Sequence, residues 1–277
     1  MGRLKPSFFI LGERKCGTSS LYRYLLHHPN VLPCKVKEPQ FFTQNVFKIA
    51  WKWKQYLQLF PELSQTKEVI LKWPELNQSG TLYEETIVFP IDPQQTYITG
   101  EASANSFYHA NPQLVNYFLP QLKLIVLFRN PIDRAFSHYR MIQRFQQEGR
   151  KTRGLKGFEL DMLEEMEKAR LGKKTDFIGP SLYINQLKKW EKVFGKERIL
   201  VLRTEDLAKP KKAARIMEQL CEHLAITPFD FSTVLNERYN VAPSKHFPAH
   251  FREEMEWFFR PYNQVLEDHI GRKMKWT

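Results

Sequence analysis

The sequence predicts an α/β fold: a central parallel sheet with helices on both faces, a three-layer sandwich. Three observations carry this. Short apolar runs alternate with helix-length segments along most of the chain. The two clearest runs, Phe8–Leu11 and Leu122–Phe128, lack the polar alternation of a half-exposed strand. Each is followed by a polar loop that opens a helix, Gly12–Thr18 and Arg129–Ser137. The carboxyl ends of parallel strands are where ligands bind in such sheets.

The elements follow in order. A strand over Phe8–Leu11 leads to a helix at about Thr18–His27, stopped by His28-Pro29-Asn30. Val31–Pro33 reads as a short strand, and Trp51–Phe60 as a helix with its aromatic residues on one side. Residues Thr66–Thr99 are polar and carry scattered prolines, so they read as irregular, a variable insertion at about 65–95. Tyr97–Thr99 forms a short strand ending at Gly100-Glu101. The strand Leu122–Phe128 ends in Arg129-Asn130-Pro131, and a helix runs from about Ile132 to Gln147. A basic connection over Gly149–Gly157 precedes an acidic helix at Phe158–Leu171. A helix near Leu182–Phe194, a strand at Ile199–Leu202, a helix near Lys211–His223 and a last helix over Phe251–Asp268 complete the chain, read as one domain over 1–277.

Composition narrows the function. The chain has 277 residues, 42% of them hydrophobic, enough for one large domain. It has no apolar run long enough to span a membrane. The first strand starts too early to leave room for a signal peptide. Cys16, Cys34 and Cys221 make an odd set without framework spacing, so free thiols and a cytoplasmic location are expected. The net charge is +12, which fits a solvated basic surface or a partner that is an anionic ligand, a nucleic acid or an acidic polymer, and by itself identifies none. No zinc-finger spacing, basic heptad helix or aromatic RNA-binding signature is present, so no nucleic-acid partner is expected.

The segment Gly12-Glu13-Arg14-Lys15-Cys16-Gly17-Thr18-Ser19-Ser20 has the order of a phosphate cradle: strand, loop, helix N-terminus. It departs from the triphosphate motif G-x-x-x-x-G-K-[ST] because Thr18 follows Gly17 where that motif has lysine. The loop lysine is Lys15. At the end of the second buried strand, where a triphosphate hydrolase keeps an acidic magnesium ligand, this chain has Arg129. Ser137 follows about two helical turns further on. Two phosphate-binding clusters without a metal carboxylate suggest a nucleotide phosphorylated at separate positions.

On these residues the chain resembles the sulfotransferases that use 3′-phosphoadenosine 5′-phosphosulfate (PAPS), most of all the heparan-sulfate N- and 3-O-sulfotransferase type. The resemblance implies their P-loop-like fold, PAPS as co-substrate, 3′-phosphoadenosine 5′-phosphate (PAP) as product and no metal. It implies that Lys15, Cys16, Gly17, Thr18 and Ser19 hold the 5′-phosphosulfate and that Arg129 and Ser137 hold the 3′-phosphate. Lys37-Glu38-Pro39-Gln40-Phe41-Phe42 matches the segment where the family places its catalytic glutamate, here Glu38. Gly100-Glu101-Ala102-Ser103 matches a strand end beside the acceptor cleft, with Glu101 and Ser103 as acceptor-side residues. Tyr239, Ser244 and Lys245 fall where the family closes over the nucleotide. Two departures stand out. Ala102 replaces a lysine the family often carries after the glutamate. The closing segment Val241–His246 has neither cysteines nor a Lys-Gly-Arg run.

The expected reaction is in-line sulfuryl transfer to a hydroxyl or amine. Lys15 stabilises the leaving phosphate and Glu38 takes the acceptor proton, with Glu101 as the back-up base. Cys16, at a helix N-terminus, is expected to have a lowered pKa and to be oxidisable. Tyr183, Trp190, His109 and His138 are expected to be structural. A soluble bacterial enzyme tailoring a small-molecule natural product is expected. The alternative acceptor is an oligosaccharide or polysaccharide, for which the basic stretch Arg144–Lys156 would provide a lid. A P-loop kinase is the remaining alternative. Oligomeric state is not legible.

Overall fold

The computed structural model describes residues 2–64, 67–76, 82–235 and 247–276. Five strands form one parallel sheet: β1 (Phe8–Gly12), β2 (Val31–Pro33), β5 (Ile98–Ala102), β6 (Lys123–Phe128) and β7 (Ile199–Arg203), in the spatial order β2-β5-β1-β6-β7. Every residue of β1 is buried, as is β6 after its first. Burial on both faces is the reason these segments read as unbroken apolar runs.

Helix α1 (Thr18–Leu25) follows β1, and α2 (Val46–Leu57) follows β2, starting earlier than the aromatic pattern suggests because Asn45 caps it through the Lys48 N–H. Two short helices, α3 (Ser106–His109) and α4 (Pro112–Phe118), lie between β5 and β6. Neither is legible in the sequence, since helices of four and seven residues are too short to give a periodic signal. Helix α5 (Pro131–Gln147) follows β6, with Pro131 at its first turn and Asn130 capping Ile132 and Asp133. Then come α6 (Phe158–Arg170), α7 (Tyr183–Phe194), the one-turn α8 (Thr204–Leu207) after β7, α9 (Pro210–Leu224) and α10 (Ala249–Ile270).

One expectation needs correction. Within Thr66–Thr99, read as irregular, strands β3 (Glu68–Leu76) and β4 (Leu82–Pro90) pair antiparallel from Glu68↔Pro90 to Leu76↔Leu82. Val69, Leu71 and Trp73 are buried, while Glu68, Ile70, Lys72 and Pro74 between them are exposed, the period of a strand. Trp73 anchors this ribbon by stacking on Tyr22 of α1, with ring centroids 6.0 Å apart. The Lys37 ammonium lies 4.6 Å from the Trp73 ring centroid. A two-stranded ribbon has little stability of its own, so this anchorage in the main core holds it.

Candidate active site

Strand β1 lies between β5 and β6, and β2 lies beyond β5. The carboxyl ends of β1, β5, β6 and β7 therefore converge on one side of the sheet, where the order of the strands reverses. The loop after β1 is fixed there by its own backbone. The Glu13 N–H donates to the Leu127 carbonyl of β6, and the Cys16 N–H to the Glu13 carbonyl. Thr204, just past β7, donates its hydroxyl to the Cys16 carbonyl at 2.5 Å. Gly12 has φ +148, and a Cβ there would run into the Ala104 carbonyl. Gly17 takes a left-handed conformation, φ 85, at the start of α1, and no side chain caps that helix. The first-turn N–H groups of Thr18 and Ser19 therefore have no carbonyl one turn earlier in the helix to receive them.

Cations gather around this helix end. Lys15 also has a left-handed backbone, φ 71, and is half-buried. Burial lowers its ammonium pKa to about 8, helped by Arg144, Arg129 and Arg14 and opposed by Glu38. Arg129 donates from Nη1 to the Lys15 carbonyl at 3.2 Å. Asp133, a conceivable structural partner for Arg129, is bonded to Arg252 at 2.9 Å instead. Ser137 lies half-buried on α5. Among the described residues neither Lys15 nor Arg129 enters an ion pair. A half-buried lysine crowded by three arginines, with no ion pair formed by Lys15 or Arg129, suits an anion.

The second part of the site is the turn after β2. Glu38 and Gln40 both have left-handed backbones, φ 52 and φ 47. Glu38 is partly buried, accepts from Gln40 Nε2 at 3.5 Å, and is electrostatically coupled to Lys15, Arg14 and Glu101. The turn is held from beneath. The Gln40 N–H donates to Ser103 Oγ at 3.0 Å, and Asn105 Nδ2 donates to Gln40 Oε1 at 3.1 Å. Ser103 Oγ in turn donates to Glu101 Oε2 at 2.6 Å, and the Tyr56 hydroxyl donates to Glu101 Oε1 at 2.5 Å. Glu101 is 1% exposed, and burial raises its pKa to about 7. Both of its oxygens are occupied by neighbours, so the structure places Glu101 and Ser103 as the floor of the Glu38 turn.

Behind the cradle lies a buried polar cluster, of which the sequence singles out only His138, as a structural residue. Arg134 of α5 is fully buried and donates to Ser181 Oγ, the Phe177 carbonyl and the Arg14 carbonyl. Glu13 is 2% exposed; its Oε1 accepts from the Arg14 N–H, and burial raises its pKa to about 7 despite Arg134. His138 is buried, with Nε2 3.4 Å from Arg14 Nη1. Burial and the surrounding cations push its pKa well down, so it is neutral and Nε2 accepts. Nothing local in the sequence marks their burial, because only the packing of α5 against the loop buries them.

Cys16 departs from expectation. Its thiol is fully buried against the Tyr183 hydroxyl, and burial raises its pKa to about 11. Desolvation outweighs the helix end, so the thiolate is disfavoured. The Cys16 backbone, rather than its sulfur, forms part of the loop. Tyr183 stacks on Phe128 at 4.4 Å and Trp190 donates to the Phe107 carbonyl, so both are core residues, as expected. Tyr239, Ser244 and Lys245 lie outside the described residues. The basic stretch Arg144–Lys156 is largely neutralised: Arg153 bonds Asp161, Glu165 and Asp176, Lys156 bonds Glu164, and Arg144 and Arg150 pair with Glu148.

Comparison with known proteins places the chain in a family. Residues 6–230 match the profile described as the Sulfotransferase family. The chain belongs to that family. Human carbohydrate sulfotransferase 15 is 26% identical over 96% of this chain and 54% of its own length. The bifunctional heparan sulfate N-deacetylase/N-sulfotransferase 1 of Caenorhabditis briggsae is 23% identical over 87% of this chain and 25% of its own length. The chain thus spans about half the length of the first of these relatives and a quarter of the second. A crystal structure of a sulfotransferase from Alicyclobacillus acidocaldarius superimposes with a TM-score of 0.66 at 25% identity, covering 98% of both chains. The expected resemblance to heparan-sulfate-type sulfotransferases, and the α/β fold with a central parallel sheet, therefore hold. No helix of the described residues is long and apolar enough to cross a membrane.

Proposed function

We propose that the protein transfers a sulfuryl group from PAPS to a hydroxyl or amine. The observation that carries this reading is the cation cluster of Lys15 and Arg129, neither in an ion pair among the described residues, at an uncapped helix N-terminus. The donor set suits a nucleotide with two separate phosphates. Lys15, the Gly17–Ser19 backbone and the Thr18 and Ser19 hydroxyls serve one end, and Arg129 and Ser137 serve the other. Tyr239, Ser244 and Lys245 belong to the proposed nucleotide closure.

In the reaction the acceptor oxygen or nitrogen forms a bond to sulfur as the bond from sulfur to the bridging oxygen of the 5′-phosphate breaks. Lys15 stabilises the charge growing on that bridging oxygen. Glu38 accepts the acceptor proton. Glu101, held by Tyr56 and Ser103, supports the Glu38 turn from below. The chemistry demands positioning more than covalent work, which a loop fixed by β6, β7 and α5 provides.

The acceptor has two readings. A saccharide is favoured by relatives named for carbohydrate and heparan sulfate. A small molecule is favoured by the neutralisation of Arg153 and Lys156, which leaves the basic stretch less to offer a polyanion. The test is transfer of labelled sulfate from PAPS to desulfated oligosaccharides and to small alcohols and amines. Label in any acceptor, lost in Glu38→Gln, supports the reaction. Absence of transfer together with magnesium-dependent phosphorylation by ATP would replace it with a kinase.

A further inference from the structure

We propose that helix α2 docks this protein on an anionic lipid surface. The helix has two faces. Ile49 and Tyr56 point inward and are buried, and Trp53 packs its ring 4.6 Å from that of Phe118. On the opposite side Phe47 and Trp51 are 83% and 77% exposed. Phe47 and Trp51 are one helical turn apart and project from the same face.

The charges around these groups have one sign. Lys48, Lys52 and Lys54 lie on α2, and residues 39–61 contain no aspartate or glutamate. Among the described residues none of the three lysines enters an ion pair. The Lys52 ammonium sits 5.9 Å from the Trp51 ring centroid. Neither the core nor the proposed chemistry uses these side chains, and projecting aromatics of this kind mark a contact surface. Aromatic tips flanked by lysines match a lipid interface, where rings sink to the headgroup boundary and ammonium groups meet phosphates. A glycan strand is matched less well, because Phe47 offers it no hydrogen bond.

The docking face is also linked to the active site, a link that rests on the function proposed above. Helix α2 follows directly on the Glu38 turn and carries Tyr56, the partner of Glu101. The helix that carries the docking face is thus joined by the chain to the Glu38 turn and by Tyr56 to its floor.

The test is co-sedimentation of the full chain with phosphatidylcholine vesicles, with and without phosphatidylglycerol. It needs neither nucleotide nor acceptor, so its failure leaves the sulfotransferase reading intact. Binding to the anionic vesicles is expected, weakening with salt. A blue shift of tryptophan emission should be reduced in Trp51→Phe. Phe47→Gln with Trp51→Gln should cut the vesicle partition about tenfold or more, with an unchanged melting curve. The proposal is overturned if the wild type ignores anionic vesicles or if the double variant binds them equally well. It is also overturned if vesicles do not bind while Phe47 and Trp51 govern heparin binding or a dimer seen by light scattering.

Discussion

Arg129, at the end of β6, donates from Nη1 to the backbone carbonyl of Lys15 at 3.2 Å. The two cations assigned to opposite ends of the nucleotide are thereby joined through the loop backbone. Arg129 is expected both to bind phosphate and to shape the turn that presents Lys15. Arg129→Lys keeps a charge but loses the planar fork that reaches the carbonyl. It should weaken PAP binding nearly as much as Arg129→Ala, a result checked by titrating both variants.

The depressed Lys15 predicts how binding varies with pH. In the free protein its pKa is about 8. An anion prefers the protonated form and raises that pKa, so binding takes up a proton once the free lysine has lost it. PAP affinity should be flat from about pH 7 to 8 and fall by up to tenfold per unit above. Calorimetry in buffers of different ionisation enthalpy should detect proton uptake at pH 9. In Lys15→Met both effects should vanish.

Glu38→Gln should lower turnover by about 10²–10⁴-fold with unchanged PAP affinity, as expected for loss of a positioned general base. Single-turnover measurement with labelled PAPS separates the two.

Glu101→Gln should report on stability. Burial raises the Glu101 pKa to about 7, so between pH 4.5 and 7 the folded state holds more protons than the unfolded one. This contribution is fully present below pH 4.5 and is lost as pH rises through 7. The Gln variant escapes that loss. Relative to wild type it should gain about 1–3 kcal/mol between pH 4.5 and 7.5. Paired denaturant titrations at the two pH values check the sign.

Arg153→Ala leaves Asp161 and Glu165, with side chains 1% and 3% exposed, without their guanidinium. A cost of about 2–4 kcal/mol is expected, towards the low side because Arg153 is itself partly exposed. Urea denaturation measures it, and Arg153→Lys should recover part of the loss.

Legibility in the sequence tracked how local the determinants are. The β1 strand, the Gly12–Ser19 cradle and Arg129 with Ser137 are readable because apolar run, glycine and helix start follow one another directly. The β3–β4 ribbon is not legible because Ile70 on the exposed face of β3 and Pro74 within it hide the alternation, and its anchor, Trp73, finds Tyr22 only in three dimensions. The Cys16 thiol was misread because its burial depends on Tyr183, distant in sequence. Glu13, Arg134 and His138 give no local signal, since what makes them unusual is the low exposure created when α5 packs on the loop.

The most direct test of the central claim is calorimetric titration of PAP, without metal, against magnesium ATP on the wild type and Arg129→Ala. Metal-independent binding of PAP, preferred over ATP and weakened in the variant by about 1.5–3 kcal/mol, is the predicted result. No binding of PAP, or preference for magnesium ATP, would contradict it.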